Sequence, residues 1–449
     1  MNKTAAPPAS GAAPVPPASS FAAVAGAVAA PRRTDPAAQP ARESNIAALV
    51  GFFESGIKDT PGELGIELEH IIVHDDMSPV AYSGEQGVEW VLGQLMRDFP
   101  EATYDAEGDL LGVARPGEAV TLEPAAQLEL SAGPFRDLAS ASATFEAFEQ
   151  ALADVLEPAG MRALTLGYHP TATAMSLELI PKRRYKFMNL YLGAKGMFGP
   201  CMMRGSASTQ VSIDYSSVDD CLRKLRLAYA LVPLLSLMTD NSPVFEGVPR
   251  THEMVRTEIW RHCDPDRCGI VPGALEPGFN LRRYAEYILD TPAILLPCKQ
   301  QEWCYSERTF GELYAERAMG PVEVEHAVSM FFNDVRLKTY IEIRPADALP
   351  ILYAIAYAAL IKGLFYDPAN LDALDGLFDV VDAHAIDEAK DDLMAHGYGG
   401  SAYGKPVADL CDQVVALARR GLDESEQAFL EPLAQLVSDR MTLADAAVH

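Results

Sequence analysis

The chain has 449 residues, of which 49% are hydrophobic and 22% are charged. This is the balance of an ordinary globular protein, and the length allows one large domain or two or three smaller ones. The formal net charge of −27 excludes a general nucleic-acid surface, because binding phosphates requires clustered lysine and arginine. For the same reason the chain does not suit an anionic membrane surface.

The sequence gives no sign of membrane insertion or export. No apolar run of about 18 residues is present, so we expect no transmembrane helix. The mildly apolar segment 21–30 follows a proline-rich stretch and lacks a basic segment before it, which argues against a signal peptide. The seven cysteines are scattered without a CxxC pair, a pattern typical of free thiols in a reducing compartment. We therefore expect a cytoplasmic protein.

Alanine and proline fill most of residues 1–41, so we predict a disordered tail over residues 1–43 and a folded domain over 44–449. Ser44 is suited to cap a first helix over 47–57. Periodicity and turn signals predict further helices over 85–98, 139–156, 218–239 and 351–365, and several more over 369–449. Strands are predicted over 64–74, 119–131, 208–215 and 336–344. Because helices and strands do not alternate regularly, the expected class is α+β.

The four predicted strands share one property, which is a polar face. Side chains at i and i+2 lie on the same face of a strand. The residues that share a face in this way are Glu67 with Glu69, Gln127 with Glu129 (Glu123 lies just upstream), Gln210 with Ser212 and Asp214, and Glu342 with Arg344. A face exposed to water would explain any one of these strands alone.

Four such strands in one sheet would bring several carboxylates within a few ångströms of each other. Like charges at that range raise one another's pKa unless a cation neutralises them. Hard divalent cations prefer oxygen ligands, and Mg²⁺ together with phosphates is the usual case. Arg344 beside the cluster would suit a phosphoryl oxygen through bidentate hydrogen bonds. The pattern therefore favours metal-assisted phosphoryl chemistry, and without a G-x-x-x-x-G-K-[ST] segment an ATP site must rely on metals and arginines.

At these same positions the sequence resembles the glutamate–cysteine ligase family of plants and proteobacteria. The resemblance covers roughly residues 60–350 and depends on the number and order of modest motifs. The matching stretches lie at 65–69, 122–131, 181–185, 208–217, 241–243, 256–269, 278–287 and 342–347.

The resemblance implies a glutamine-synthetase-like fold, in which an antiparallel sheet packed with helices forms a saddle-shaped active site. It also implies the reaction. ATP would phosphorylate the γ-carboxylate of L-glutamate, and the amine of L-cysteine would attack the acyl phosphate to give γ-glutamylcysteine. Two or three Mg²⁺ ions would assist this reaction, and residues 44–449 would be the catalytic domain.

The resemblance also implies roles for individual residues. The implied magnesium ligands are Glu67, Glu69, Glu123, Glu129, Gln210 and Glu342. Glu342 and Arg344 would be catalytic, with Arg344 steadying the transferred phosphate. The implied substrate-binding and ATP-binding residues are Arg256, Trp260, Arg267, Arg204 and Gln127.

Three departures from the family pattern leave the acceptor amine open. Arg204 is displaced by one place, Ala125-Ala126 replace two glycines, and Pro345 replaces another glycine. None of these changes removes an implied metal ligand. The alternatives are a γ-glutamyl ligase with another amine, a catalytically silent nucleotide-binding homologue, and a phosphotransferase on a similar sheet. The sequence does not determine the oligomeric state.

Overall fold

The computed structural model describes residues 40–297 and 303–447. The predicted tail over residues 1–43 therefore lies almost entirely outside the described residues. The strands, in chain order, are β1 (Leu64–His74), β2 (Glu101–Tyr104), β3 (Leu110–Arg115), β4 (Glu118–Leu122), β5 (Leu128–Phe135), β6 (Met161–Leu164), β7 (Thr209–Ile213), β8 (Val244–Phe245), β9 (Val248–Pro249), β10 (Cys268–Gly269), β11 (Pro292–Pro297), β12 (Trp303–Thr309), β13 (Phe332–Asn333), β14 (Val335–Leu337), β15 (Ile341–Ile343), β16 (Ser401–Ala402) and β17 (Lys405–Pro406).

The α-helices account for most of the remaining described residues. In chain order they are α1 (Arg42–Glu54), α2 (Val88–Leu95), α3 (Leu138–Leu156), α4 (Arg183–Lys195), α5 (Gly199–Gly205), α6 (Val218–Met238), α7 (Val255–Arg261), α8 (Leu281–Asp290), α9 (Phe310–Leu313), α10 (Pro321–Ser329), α11 (Ile351–Phe365), α12 (Pro368–Phe378), α13 (Ala383–His396), α14 (Val407–Gly421), α15 (Gln427–Asp439) and α16 (Leu443–Ala446).

A nine-stranded sheet organises the fold. Its order is β14-β15-β7-β1-β5-β4-β3-β2, and β6 pairs with the second half of β1. Every pairing in this sheet is antiparallel. The mixture of helices with one large antiparallel sheet confirms the predicted α+β class.

The central strands place apolar and polar side chains on opposite faces of the sheet. In β1, Leu64, Ile66 and Leu68 are at most 1% exposed, and they alternate with the glutamates at 67 and 69. Four helices pack against the sheet, with α2 against β3, α3 against β5 and β6, α11 against β1 and β7, and α6 against β14 and β15. Burying the apolar face in this way leaves the polar face free to line a cleft.

Several predicted elements are confirmed, and others have different bounds. The helix predicted over 85–98 is shorter, at Val88–Leu95, and the strand predicted over 208–215 is Thr209–Ile213. The predictions for β1, α3, α6 and α11 agree with the structure to within one residue at each end. The first helix begins at Arg42 instead of residue 47, and Ala41 precedes it in place of the expected Ser44 cap. An ion pair of 2.8 Å between Arg42 and Asp290 and a backbone bond from Ala41 to Ala315 hold this earlier start.

The predicted strand over 119–131 is two strands, β4 and β5, joined by a turn through residues 123–127. Ala126 occupies this turn with a φ of 67°, a left-handed conformation that interrupts the regular extended backbone. The predicted strand over 336–344 is likewise a hairpin of β14 and β15. Arg336 pairs with Glu342 and Leu337 with Ile341, so even-numbered residues stay on one face across the turn. Polar side chains therefore recur at every second residue through the turn, and this pattern predicted a single strand.

Two further expectations concern membranes and cysteines. No single helix in the described part of the chain is long and apolar enough to span a membrane, and α11 and α12 reach that length only together, across an 88° bend. Cys201, Cys221, Cys263, Cys268 and Cys411 are free thiols. Cys304 is disulfide-bonded, so the expectation of free thiols throughout is wrong.

Candidate active site

The polar face of the sheet forms one wall of a cleft. The cleft encloses about 1040 Å³, with the open solvent at its mouth included. Glutamates from β1 and β5 line one side, and Arg336, Lys338 and Arg344 from the β14–β15 hairpin line the other. Arg184 and Tyr185 of α4 and Arg256 and Trp260 of α7 also line the cleft.

The strand register explains why these side chains meet. Glu67 lies opposite Gln210 of β7 on one side and Ser131 of β5 on the other. Glu69 lies opposite Glu129 of β5. These directly opposed positions bring side chains on one face into contact range. The inference that the polar strands join one sheet is thus confirmed.

We call Glu67, Glu69, Glu123 and Glu129 the acidic half of the cleft. Burial and, to a smaller extent, the charges of neighbouring glutamates together raise the pKa of both Glu67 and Glu69 to about 8. Burial and the charge of Glu123 raise the pKa of Glu129 to about 7. In the metal-free protein Glu67, Glu69 and Glu129 therefore hold protons near neutral pH, because burial and mutual repulsion disfavour their charged forms. The pKa of Glu123 is also raised, chiefly by burial.

Hydrogen bonds in the acidic half come from hydroxyl and amide groups. Glu69 accepts bonds from the Ser208 hydroxyl at 2.6 Å and from the Ser208 backbone amide at 3.0 Å. Glu129 accepts a bond of 2.9 Å from the Ser131 hydroxyl. Within the described residues, none of the four carboxylates forms an ion pair with a lysine or arginine. The acidic half therefore has no direct ion pair, although the charges of Lys182, Arg344 and Arg184 act on Glu123 from a longer distance.

We call Arg336, Lys338 and Arg344, with Glu342 at their centre, the basic half. Glu342 is fully buried. Its Oε2 accepts bonds from Arg336 Nε at 2.7 Å and Arg344 Nη1 at 2.9 Å, and its Oε1 accepts one from Lys338 Nζ at 2.8 Å. Burial alone would raise the pKa of Glu342, but these three cations hold it well below its usual range. Glu342 is therefore ionised.

Arg344 connects the two halves. Its guanidinium donates to Glu342 and also to Oε1 of Gln210, and Gln210 Nε2 is 3.4 Å from Glu69. Gln210 is 5% exposed, so its amide is fixed between an arginine and a glutamate. The predicted catalytic Arg344 thus faces the predicted metal ligands.

Three of the five predicted substrate-binding residues line the cleft, namely Arg256, Trp260 and Gln127. Arg256 Nη1 is held by backbone carbonyls of residues 344–346, while Arg256 Nε and Trp260 Nε1 are buried without a partner. Buried donors without a partner suit a ligand that supplies acceptors. The Gln127 side chain instead bonds to the backbone. Its Oε1 accepts from the amide of Ala125, and its Nε2 donates to the carbonyls of Arg204 and Ser206. Gln127 therefore shapes the wall.

The other two predicted substrate-binding residues do not reach the cleft. Arg267 is fully buried. Its guanidinium donates hydrogen bonds to the Asp264 carboxylate at 2.7 Å and to the backbone carbonyls of Met330 and Pro292. Arg204 donates to Asn189 and to the carbonyl of Leu177. Both arginines support the wall from behind, so the geometry does not favour direct contact with substrate.

The cleft residues that sequence reasoning missed include three basic side chains, Arg184, Arg336 and Lys338, and also Tyr185. Arg336 and Lys338 occupy even positions of the same predicted strand as Glu342. The alternation of side chains along that strand therefore already placed all three on the same face. Arg184 and Tyr185 belong to a stretch that carried the family resemblance. Their position opposite the sheet depends on packing between distant elements, which a local pattern does not reveal.

The cleft offers the chemistry that a hard cation requires, although its ligands do not yet converge. Within residues 40–297 and 303–447, no three carboxylate, histidine or cysteine side chains are already grouped closely enough to hold a metal ion. The buried glutamates nevertheless supply oxygen donors, and burial together with mutual repulsion raises their pKa values, which a bound cation would lower. Mg²⁺ fits this donor set.

Comparisons with known proteins agree with the geometry. The family described as glutamate-cysteine ligase family 2 (GCS2) matches residues 63–443. The chain is 27% identical to glutamate–cysteine ligase B of Oryza sativa subsp. japonica, covering 94% of this chain and 87% of that protein. It is 28% identical to glutamate–cysteine ligase of Arabidopsis thaliana, covering 91% of this chain and 82% of that protein.

A solved structure has a similar fold. It is the glutamate–cysteine ligase of Francisella tularensis in complex with AMP, with a TM-score of 0.51 and 12% sequence identity. The match covers 85% of this chain and 83% of that one. At this identity the likeness concerns the fold, and it supports the fold expected from the family resemblance.

The comparisons also correct one expectation. The relatives from Oryza sativa, Medicago truncatula and Arabidopsis thaliana are all named as chloroplastic enzymes. This contradicts the cytoplasmic location expected from the sequence, and that expectation is withdrawn.

Proposed function

The chain belongs to glutamate-cysteine ligase family 2, whose activity is the ATP-dependent formation of γ-glutamylcysteine, and we propose that the cleft on the polar sheet face carries out this reaction. In this reaction the γ-phosphoryl group of ATP passes to the γ-carboxylate of L-glutamate. The amine of L-cysteine then displaces phosphate from the acyl phosphate, which leaves γ-glutamylcysteine, ADP and phosphate. The observation that carries the assignment is the pairing of a cation-poor acidic half with a cation-rich basic half.

The acidic half would hold Mg²⁺. Glu67, Glu69, Glu123 and Glu129 would provide carboxylate oxygens. Gln210 would provide a neutral amide oxygen, which in this structure accepts a hydrogen bond from Arg344. When bound there, the metal would neutralise the buried carboxylates and bring positive charge to the phosphates. Glu342 belongs to the same predicted ligand set, but in this structure its oxygens are occupied by Arg336, Lys338 and Arg344. The number of ions, expected to be two or three, stays a prediction.

Arg344 is the residue best placed to steady the transferred phosphoryl group. It lies between Gln210 and Glu342, and its guanidinium borders the cleft. A guanidinium fixed in advance beside the reacting group stabilises developing negative charge without reorganising. Arg256 and Trp260 would contact substrate through the buried donors that lack partners in the protein.

An assay of amine specificity tests the proposed reaction directly. Purified full-length protein is incubated with Mg²⁺, ATP and L-glutamate plus one of several amines, while ADP release and product mass are measured. We expect γ-glutamylcysteine with L-cysteine and little product with amines that lack the thiol. Equal or better turnover with a non-thiol amine would reject cysteine as the acceptor. A stable phosphorylated product without an amide bond would indicate a phosphotransferase.

Calorimetry tests the metal site separately. Mg²⁺ titrated into the metal-free protein at pH 7 should bind with release of protons, because cation binding lowers the raised pKa values of the acidic half. Proton release is measured from the change in apparent binding enthalpy between buffers of different ionisation enthalpy. Glu67→Gln should release fewer protons, and an unchanged release would show that Mg²⁺ binds elsewhere.

A further inference from the structure

Helix α13 contributes none of the cleft-lining residues in the described part of the chain, yet it is attached to an element that lines the cleft. Arg261, at the end of α7, directs two guanidinium nitrogens at the carboxylate of Asp391. Just before α7, the backbone amide of Glu253 donates to the carbonyl of Met394 at 3.0 Å. Both ends of the cleft helix α7 are therefore fixed to α13.

A buried ion pair joins α13 to the hairpin that carries Arg344. Lys390 is 2% exposed, and its Nζ lies 2.6 Å from Oδ2 of Asp334. Asp334 directly precedes β14, and its backbone carbonyl accepts a bond of 3.0 Å from the amide of Arg344. The amide of Asp334 donates to the carbonyl of Gly269 at 3.0 Å. The ion pair therefore fixes the residue that lies across the hairpin from Arg344.

The two attachments of α13 meet at Arg344. From the side of α7, Arg256 Nη1 donates to the backbone carbonyls of residues 344–346. The guanidinium groups of Arg256 and Arg344 both lie over the ring of Trp260, at 5.6 and 5.8 Å from its centroid, where cation–π attraction acts. Lys390 and Asp334 line a cavity of about 360 Å³, open solvent included, together with these three residues. The ion pair is thus part of the support behind Arg344.

Stability alone does not account for an ion pair in this place. Burying two charges costs desolvation free energy, and apolar residues of similar volume often replace a buried ion pair without loss of stability. What the pair supplies is a fixed position, because its two charged ends lie 2.6 Å apart. A shift of about 1 Å in a reacting group can slow a reaction about a hundredfold. A contact that fixes the backbone beside Arg344 therefore bears on catalysis.

We propose that Lys390 is a positioning residue, which acts through Asp334 to hold Arg344 where it steadies the transferred phosphoryl group. This inference rests on the proposed function, which gives that role to Arg344. Lys390 lies outside the cleft, so its loss should change the geometry of Arg344 and leave substrate contacts in place. An interaction that acts only in the transition state lowers kcat and kcat/KM equally when it is removed.

Steady-state kinetics on lysine variants of the full chain test this role. Lys390→Met should lower kcat and kcat/KM for L-glutamate by the same factor, about tenfold to a hundredfold. Lys390→Arg, which keeps the charge and can extend into the adjacent cavity, should recover most of the rate. Lys362→Met is the matched control, because Lys362 pairs with the buried Glu426 outside the cleft. It should lose stability and keep its rate.

A double variant separates position from stability. Lys390→Met leaves the charge of Asp334 without its partner, and Lys390→Met/Asp334→Asn removes that charge as well. The double variant should regain stability in urea unfolding but not kcat, because the ion pair that fixes the backbone is still missing. Recovery of kcat together with stability would overturn the proposal, and so would an equal loss of rate in Lys362→Met.

Amide hydrogen exchange gives a readout that does not depend on activity. The amides around Arg344 should exchange about tenfold faster in Lys390→Met and at the wild-type rate in Lys362→Met, because local opening of the hairpin becomes easier. Folded Lys390→Met protein with wild-type kcat or wild-type exchange would overturn the proposal, and the double variant decides if Lys390→Met does not fold. A wild-type chain that forms no γ-glutamylcysteine would instead reject the proposed function, while exchange still reports on the contact of Lys390.

Discussion

The two halves of the cleft hold the same residue type in opposite electrostatic states. Glu67 and Glu69 in the acidic half have a pKa raised to about 8, first by burial and then by neighbouring carboxylates. Glu342 is buried even more completely, yet Arg336, Lys338 and Arg344 hold its pKa below the ordinary range. The difference comes from the neighbouring charges. The β14–β15 hairpin places three cations beside Glu342, whereas β1 and β5 place other carboxylates beside Glu67 and Glu69.

This difference indicates what kind of ligand the cleft suits. Among the described residues, no cation is directly paired with a carboxylate of the acidic half, whereas three cations share the one carboxylate of the basic half. A ligand that satisfies both halves must bring cations to one side and anionic oxygens to the other. A metal complex of a nucleoside triphosphate has this distribution of charge. The pairing of the halves therefore explains the proposed chemistry better than either half alone.

The largest expected effect is on catalysis. Glu67→Gln in the acidic half and Glu342→Gln in the basic half should each lower kcat by roughly a thousandfold or more, because each removes a charge near the transferred phosphate. Steady-state rates of γ-glutamylcysteine formation at saturating substrates check this. Glu118→Gln, in a surface pair with Arg115, should keep its rate. Unchanged rates in both cleft variants would refute the site.

The same two substitutions should change the stability of the metal-free protein in opposite directions. Glu342→Gln leaves three cations without their counter-charge, and breaking a buried ion pair from one side costs about 3–5 kcal/mol of unfolding free energy. Glu67→Gln removes an ionisable group from a repulsive cluster, so above pH 8 it should stabilise the fold by about 1 kcal/mol. Urea unfolding in EDTA measures both values. Destabilisation by both variants would mean that the halves do not differ as described.

The pH dependence of stability follows from the raised pKa values of the acidic half. Glu67 and Glu69 have folded-state pKa values of about 8, above the ordinary value of 4.5. The folded state therefore binds more protons than the unfolded state between these values. Stability is then full below about pH 4.5 and is lost as pH rises toward 8, by about 3 kcal/mol for one such group between pH 5 and pH 8.

Urea unfolding of the metal-free protein across this pH range measures how steeply the free energy of unfolding falls with pH because of Glu67 and Glu69. Glu67→Gln should make the decline shallower, while Glu118→Gln should leave it unchanged. Saturating Mg²⁺ should also flatten the decline, since bound cations keep the carboxylates ionised in the folded state. A wild-type profile as shallow as that of Glu67→Gln would contradict the raised pKa values.

The sequence was sufficient to predict the acidic half but not the state of Glu342. Alternation along a strand places Glu67 and Glu69 on one face, and the family resemblance adds Glu123, Glu129 and Gln210. The same alternation contained Arg336 and Lys338, but it did not reveal a hairpin that folds Arg336 back onto Glu342. Cross-strand pairing joins residues through a turn, and its consequences for charge depend on three-dimensional register.

For the same reason, local sequence patterns could not predict contacts between elements that lie far apart in the chain. Arg267 and Trp260 lie in one matched stretch, yet Trp260 borders the cleft while Arg267 is used by Asp264 and two backbone carbonyls. A sequence motif records that both residues belong to the family pattern. It does not separate a residue that touches a ligand from one that supports the wall, because that depends on which way each side chain packs.

The smallest predicted effect concerns the turn that carries Glu123 into the acidic half. Ala126 in this turn has a φ of 67°, a left-handed conformation that costs a residue with a Cβ atom roughly 1 kcal/mol. Ala126→Gly should therefore stabilise the protein by up to about 1 kcal/mol, reduced by the greater freedom of glycine in the unfolded chain. Ala125→Gly is the matched control, because Ala125 has no positive φ, and it should destabilise by about 0.5–1 kcal/mol. Urea unfolding measures both, and equal destabilisation by the two variants would show that the turn through residues 123–127 is not strained at Ala126.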